Sequence, residues 1–480
     1  MGGPTLRRRT ILSAGLAATV LALPRLAGRP AAAADGPALR LHAKPGQAGL
    51  LPSADGGPTR IWGYDGLVPG PIVRARKGDI VDVELENGLD QPTTIHWHGV
   101  RIDNAMDGVP HLTQAPVAPG ERFRYRFAVP DAGTFWYHPH HASWEQVARG
   151  LYGLLIVDED DAPDVDREIL FVADDWRLDA DGRIDEGSFG GMHDWAHAGR
   201  LGNVLTINGQ PPQQLSVRPN ERLRLRMANT ANARVFSFTL DGLAAWTVAV
   251  DGQPVPPAPT GRVVLAPGQR VDLVVDAPPA VGEAAIAEAT GTPFTALGFR
   301  VEGEPIRPDP RSTPQALAAN PLPAALDLAQ AVQVDVVMEG GAMGMGPLRG
   351  SMGMHPHGPM PPVPDWGALA PRGLVWALNG VAGHPDAPLV TAMRGQTVVL
   401  HFVNATRWPH AMHLHGHHAR VVARDGQEVA PEPWRDTHLV DPMQVASAAF
   451  VADNPGDWML HCHMLEHQAG GMETWFRVTG

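Results

Sequence analysis

Three stretches of this chain repeat one alternation of apolar and polar residues. They are KGDIVDVELEN (77–87), PNERLRLRMAN (219–229) and RGQTVVLHFVN (394–404). Each turns, alternates, and reaches an asparagine nine residues after Gly78, Asn220 or Gly395. Successive side chains of a strand point to opposite faces, so period-two alternation bounded by turn residues predicts half-buried strands. Downstream, VAPGERFRYRF (117–127) parallels LAPGQRVDLVV (265–275), and GTFWYHPH (133–140) parallels GDWMLHCH (456–463). A unit copied in this way predicts an all-β protein of three β-sandwich domains, over 36–160, 161–305 and 325–480. The proline- and alanine-rich stretch 306–324 predicts a linker before the third. The 53 glycines and 47 prolines fit this strand-and-turn grammar.

Residues 1–34 stand outside that pattern. Arg7, Arg8 and Arg9 precede an apolar run from Ile11 to Leu23 and then small residues, the layout of a twin-arginine signal peptide cleaved near Ala34. No other stretch approaches the ~18 continuous apolar residues of a membrane span. The expectation is an exported protein, periplasmic or beyond, with no membrane insertion once the leader is removed. A formal net charge of −13 argues against nucleic acid and anionic membrane as partners and suits cations. Cys462 is the only cysteine, so no disulfide can form within the chain. It is an idle core thiol or a ligand.

The candidate chemistry gathers around that cysteine and around histidines two apart. Cys462 lies between His461 and His463, with His467 five and Met472 ten residues further on. A thiolate, an imidazole and a thioether make up a blue-copper site short of one histidine. On a strand, Cys462 serves one face while His461 and His463 serve the other. His96/His98, His138/His140, His413/His415 and His461/His463 form four His-x-His pairs. A single pair is commonly a packing feature. Four pairs, two in each of two related domains, point to a metal cluster, and imidazoles favour copper over calcium or magnesium. The first repeat continues to HWHG (96–99) and the third to HLHG (413–416), whereas the middle one has TLDG (239–242). Metal binding therefore falls to the first and third domains, and the middle one is expected to act as a spacer.

HWHG, HPH (138–140), HAMHLH (410–415) and HCHMLEHQAGGM (461–472) together resemble the motifs of the multicopper oxidase family, in its three-domain, laccase-like bacterial form related to periplasmic cuprous oxidases. The resemblance spans essentially the whole chain after the leader. It implies cupredoxin-like Greek-key domains and four copper ions, one type 1, one type 2 and two type 3. Type 1 copper would take His410, Cys462, His467 and the axial Met472, a ligand that implies a moderate redox potential. Type 2 copper would take His96 and His413. The type 3 pair would take His98, His138 and His463 on one ion, and His140, His415 and His461 on the other. The implied reaction passes single electrons from a small reductant through Cys462 to the cluster, where dioxygen becomes water. Phenols and cuprous ion lead as reductants, ferrous ion stands third, and a monomer is expected. The alternative is a copper-tolerance protein that buffers metal through its methionine- and histidine-rich stretch.

The resemblance also assigns supporting residues. Asp107, eleven residues after His96, matches an acid beside the type 2 copper that serves oxygen reduction. Some bacterial relatives carry a glutamate where this chain has Gln468, so any proton relay runs elsewhere. Residues 338–360, with six methionines, His355 and His357, are expected to form a mobile loop whose thioethers suit Cu(I). Cuprous oxidases place an aspartate and a methionine shortly before the first type 1 histidine. The stretch 404–410 here has neither; Asp436 in WRDTHLV reads either as an acidic substitute or as a structural turn residue. His141, His417, His418, His193 and His197 are read as exposed or supporting imidazoles, not ligands.

Overall fold

The computed structural model describes residues 38–52, 57–161, 163–342 and 362–480. The export signal expected at 1–34 and the greater part of the methionine-rich stretch, 343–360, lie outside the described residues. The strands form three successive pairs of sheets. In each pair the repeated motif supplies a central strand of one sheet: Ile80–Asn87, Arg222–Asn229 and Thr397–Asn404. Each runs parallel to the strand that opens its sandwich (Leu39–Ala48, Arg167–Trp176 or Val332–Gly340). Each runs antiparallel to Arg122–Ala128, Arg270–Asp276 or Val445–Val451.

The asparagine ends all three copies for one physical reason. Asn87 donates its amide to the carbonyls of Gln91 and Val117, Asn229 to Arg234 and Leu265, and Asn404 to Trp408 and Val440. Its own oxygen accepts from the main-chain N–H two residues on, at Leu89, Ala231 and Thr406. A side chain with two donors and an acceptor thus closes the strand end by pairing main-chain groups on both sides of it.

Each sandwich has its own core. Leu85, Tyr125 and Phe135 anchor the first, Leu225, Phe236 and Phe299 the second, and Phe402, Trp458 and Phe476 the third. Cys462 and Met472 belong to the third core, so strand alternation turns His461 and His463 away from it. Residues 306–324 contain no strand or helix, and Asn320 pins them by bonding the main chain of Ala132 and Gly252. The expected loop does not begin at Met338: residues 338–340 complete the strand Val332–Gly340, and the Met338 side chain is buried in the third core. The apolar rhythm of VQVDVVM outweighs the glycines that follow it. No helix among the described residues is long and apolar enough to cross a membrane.

Candidate metal centres

The first centre lies inside the third sandwich. Strand His410–Leu414 pairs with Gly456–Cys462, with Met412 opposite Cys462. The short helix Leu465–Ala469 then brings His467 back to the thiol. Nδ1 of His410 and Nδ1 of His467 lie 3.1 Å apart and stand 3.6 and 3.7 Å from Sγ of Cys462. All three side chains and Met472 are fully buried, and the Cys462 N–H donates to the Met472 carbonyl at 3.1 Å. The outer nitrogens are held: His467 Nε2 donates to the His197 carbonyl at 2.7 Å, and His410 Nε2 lies 2.9 Å from Thr406 Oγ1. The Trp376 ring covers both imidazoles, 4.4 Å from His467 and 5.1 Å from His410. Burial pushes the Cys462 thiol up to about 12, so a thiolate here needs a cation beside it.

The second centre sits between the first and third sandwiches. His96 faces His138 across one pair of strands, and His413 faces His461 across another. Two imidazole stacks span the interface: His96 on His415 at 3.9 Å, and His98 on His413 at 3.7 Å. Pairs of Nε2 atoms point at one another, 3.1 Å apart in His415/His461, 3.3 Å in His140/His461, and 3.4 Å in both His138/His463 and His96/His413. An ion holding imidazoles at about 2 Å keeps their nitrogens about 3 to 3.5 Å apart. Ligand atoms within 4.8 Å of one another group as His98/His138/His463, His140/His415/His461, His96/His98/His413 and His410/Cys462/His467.

The proton positions fit metal binding as well. A carbonyl can only accept, so the outward Nδ1 must carry the hydrogen in His96 (to Asp107 O), His138 (to Pro139 O), His413 (to Asp436 O) and His461 (to Cys462 O). Each inward Nε2 is left with a lone pair. His98 is the mirror case: Nε2 reaches Asp436, and Nδ1 is buried with no hydrogen-bond partner among the described residues. Burial holds His98, His138, His140, His410, His415, His461 and His463 well below the ordinary imidazole range, so they stay neutral as copper ligands require.

Two buried carboxylates fasten the stacks. Asp107 bonds His415 Nδ1 through Oδ2 at 2.9 Å and His96 Nδ1 through its carbonyl at 2.8 Å. Asp436 does the same on the opposite side, taking His98 Nε2 on Oδ1 at 3.1 Å and His413 Nδ1 on its carbonyl at 2.9 Å. Each carboxylate therefore ties an imidazole of the first sandwich to one of the third. This corrects the reading of Asp436 as a substrate-binding acid. It is fully buried at the cluster, where no surface reductant reaches it.

The middle sandwich is also more than a spacer. It supplies no histidine ligand, but it supplies the His197 carbonyl on His467 and the Arg270 guanidinium on Asp436. His417 and His418 are buried, not exposed; His417 Nδ1 donates to the His415 carbonyl, and His418 Nε2 lies 3.6 Å from Asp436 Oδ2. His141 is half-buried, and His193 is exposed and stacked on His197 at 4.2 Å. Gln468 bonds Ser143 and Glu473, and burial pushes the Glu473 carboxyl up to about 7.

A cupredoxin-like fold with a buried His/Cys site beside an eight-imidazole cluster defines a copper oxidoreductase. Sequence comparison agrees along the chain: multicopper oxidase profiles match residues 51–162, 167–295 and 359–480. The multicopper oxidase MmcO of Mycobacterium tuberculosis is 31% identical over 440 residues, covering 86% of this chain and 82% of that one. Laccase-1 of Botryotinia fuckeliana is 28% identical, covering 88% and 79%. The crystal structure of a multi-copper oxidase from Pseudomonas thermotolerans superposes with a TM-score of 0.78 at 32% identity, over 92% of this chain and 98% of that one. The chain belongs to the multicopper oxidase family, whose members bind copper and use dioxygen with a reductant.

Proposed function

We propose that His410, Cys462, His467 and Met472 hold the electron-accepting type 1 copper, with His96 and His413 on type 2. On this reading His98, His138 and His463 hold one type 3 ion, and His140, His415 and His461 the other. The observation that carries it is the set of inward-facing imidazole nitrogens 3.1 to 3.4 Å apart. Copper, when bound, supplies the one-electron chemistry and the reduction of dioxygen to water. The chain's part is to hold, space and protonate. The peptide 461–463 places a thiol on one face and two imidazoles on the other, and so joins the two centres covalently. Asp107 lies within reach of the cluster and orients His96 and His415. Burial of every ligand excludes bulk water.

The reductant we favour is cuprous ion, ahead of a phenol. The His467 edge is covered by the His197 carbonyl, which disfavours direct contact with a broad aromatic donor. Ala342, the last described residue before 343–360, is bonded at that cover: its N–H donates to the Ala196 carbonyl at 2.6 Å, and Trp408 Nε1 donates to its carbonyl at 3.2 Å. The thioethers of the methionine-rich sequence suit Cu(I). Residues 1–34 support export by the twin-arginine route to the periplasm or beyond. The test is oxygen uptake by copper-loaded protein with cuprous ion and, separately, with a phenol. A higher kcat/KM for cuprous ion is expected; uptake with neither would leave a copper-buffering protein.

A further inference from the structure

The two carboxylates of the cluster are not equivalent. No arginine or lysine among the described residues pairs with Asp107. Asp436 is gripped on both oxygens by Arg270, with Nη1 to Oδ1 at 2.9 Å and Nη2 to Oδ2 at 2.6 Å. Arg270 opens a strand of the middle sandwich and is itself fully buried. Two further donors bind main chain, Nε to the Thr134 carbonyl at 3.2 Å and Nη1 to the Gly268 carbonyl at 2.9 Å, and Nη1 also lies 3.8 Å from Asp251 Oδ1. One guanidinium therefore touches all three sandwiches.

The surrounding glycines are cut to fit this grip. A Cβ at Gly99, the last residue of HWHG, would stand 2.3 Å from Arg270 Nη2 and 2.4 Å from Asp436 Oδ2. A Cβ at Gly268 would stand 3.0 Å from the rings of both His463 and His98. Both glycines also have positive φ, at +83° and +86°, so side chains are disfavoured there twice over. Asp436 Oδ1 additionally accepts from Thr437 Oγ1 at 2.8 Å, which leaves it no freedom to swing away from His98.

We infer that Arg270 is a positioning residue for the copper cluster: it fixes Asp436, and through Asp436 the stacked His98/His413 pair, so the middle sandwich sets the geometry of a site to which it gives no ligand. This rests on the ligand assignment above. The planar guanidinium is what permits the two-point grip, and a lysine ammonium cannot reproduce it. Partners that orient metal-binding imidazoles commonly change metal affinity about 10- to 100-fold when replaced.

The experiment uses the copper-loaded full chain and Arg270→Lys, challenged with ethylenediaminetetraacetate. Type 2 copper is followed by electron paramagnetic resonance and type 1 by its blue absorption. Arg270→Lys should lose type 2 copper about 10- to 100-fold more readily and shift its resonance, with the blue absorption unchanged, because Arg270 touches none of His410, Cys462, His467 or Met472. Should the lysine variant fail to fold, Arg270→Met with Asp436→Asn leaves no unpaired buried charge and should give the same signature. Wild-type retention of type 2 copper in the folded variant overturns the inference, as does parallel loss of both signals, which marks a role in the fold alone. A wild-type protein without blue absorption is a different failure, that of the ligand assignment.

Discussion

His467 donates from Nε2 to the main-chain carbonyl of His197, 2.7 Å away and in another sandwich. The bond fixes the tautomer, leaving Nδ1 unprotonated toward Cys462, and it covers the Nε2 edge of the imidazole. Trp408 packs against His197 at 5.4 Å and helps to close this cover. Trp408→Ala should open it. The KM for a bulky phenol is expected to fall several-fold with the blue absorption retained; steady-state kinetics check this, and an unchanged KM means the cover does not filter donors.

Asp107 joins the same two halves of the cluster as Asp436 but pairs with no arginine among the described residues. Asp107→Asn keeps an acceptor for His415 and removes an exchangeable acid. Copper content should stay at the wild-type level while oxygen reduction slows about 100-fold or more. Metal analysis beside oxygen uptake decides the matter, and unchanged turnover removes Asp107 from proton delivery.

The methionine-rich stretch gives a prediction that the fold sharpens. A deletion must spare Val332–Gly340, whose strand carries Met338 into the core. Removing 343–360 should raise the KM for cuprous ion at least tenfold and raise turnover of bulky phenols. Equal kinetics for both donors would mark the stretch as filler.

The repeated asparagines offer a test of the architecture. Asn229→Ala and Asn404→Ala each leave buried main-chain groups unpaired, at a cost of about 1 to 3 kcal/mol. Thermal unfolding should show both losses. Only Asn404→Ala should also weaken the blue absorption, because Asn404 holds Thr406, which bonds His410. Equal blue absorption in the two variants would contradict that link.

The grouping of the candidate ligands was legible in the sequence because strand geometry is short-range: a His-x-His pair or a cysteine between histidines states its own facing. Asp107 was legible by its offset from His96. The roles of Asp436, Arg270 and the His197 carbonyl were not, since each acts across sandwiches and 338 residues separate His98 from Asp436. No local pattern marks such a partner. The middle repeat reads as a spacer between the other two because its missing histidines are visible, whereas the particular groups it lends to the site, the His197 carbonyl and Arg270, are not. Met338 was misplaced because glycines after residue 339 masked a strand rhythm that ends there.

On the proposed assignment Cys462 joins a one-electron centre to a cluster that completes the reduction of dioxygen. Counting electrons per dioxygen in the copper-loaded protein, with peroxide assayed in the same vessel, decides whether it does. Four electrons per dioxygen and no peroxide are predicted, with Cys462→Ser losing the blue absorption and substrate oxidation while its histidine pairs retain the cluster copper. Two electrons per dioxygen with accumulating peroxide would contradict the account.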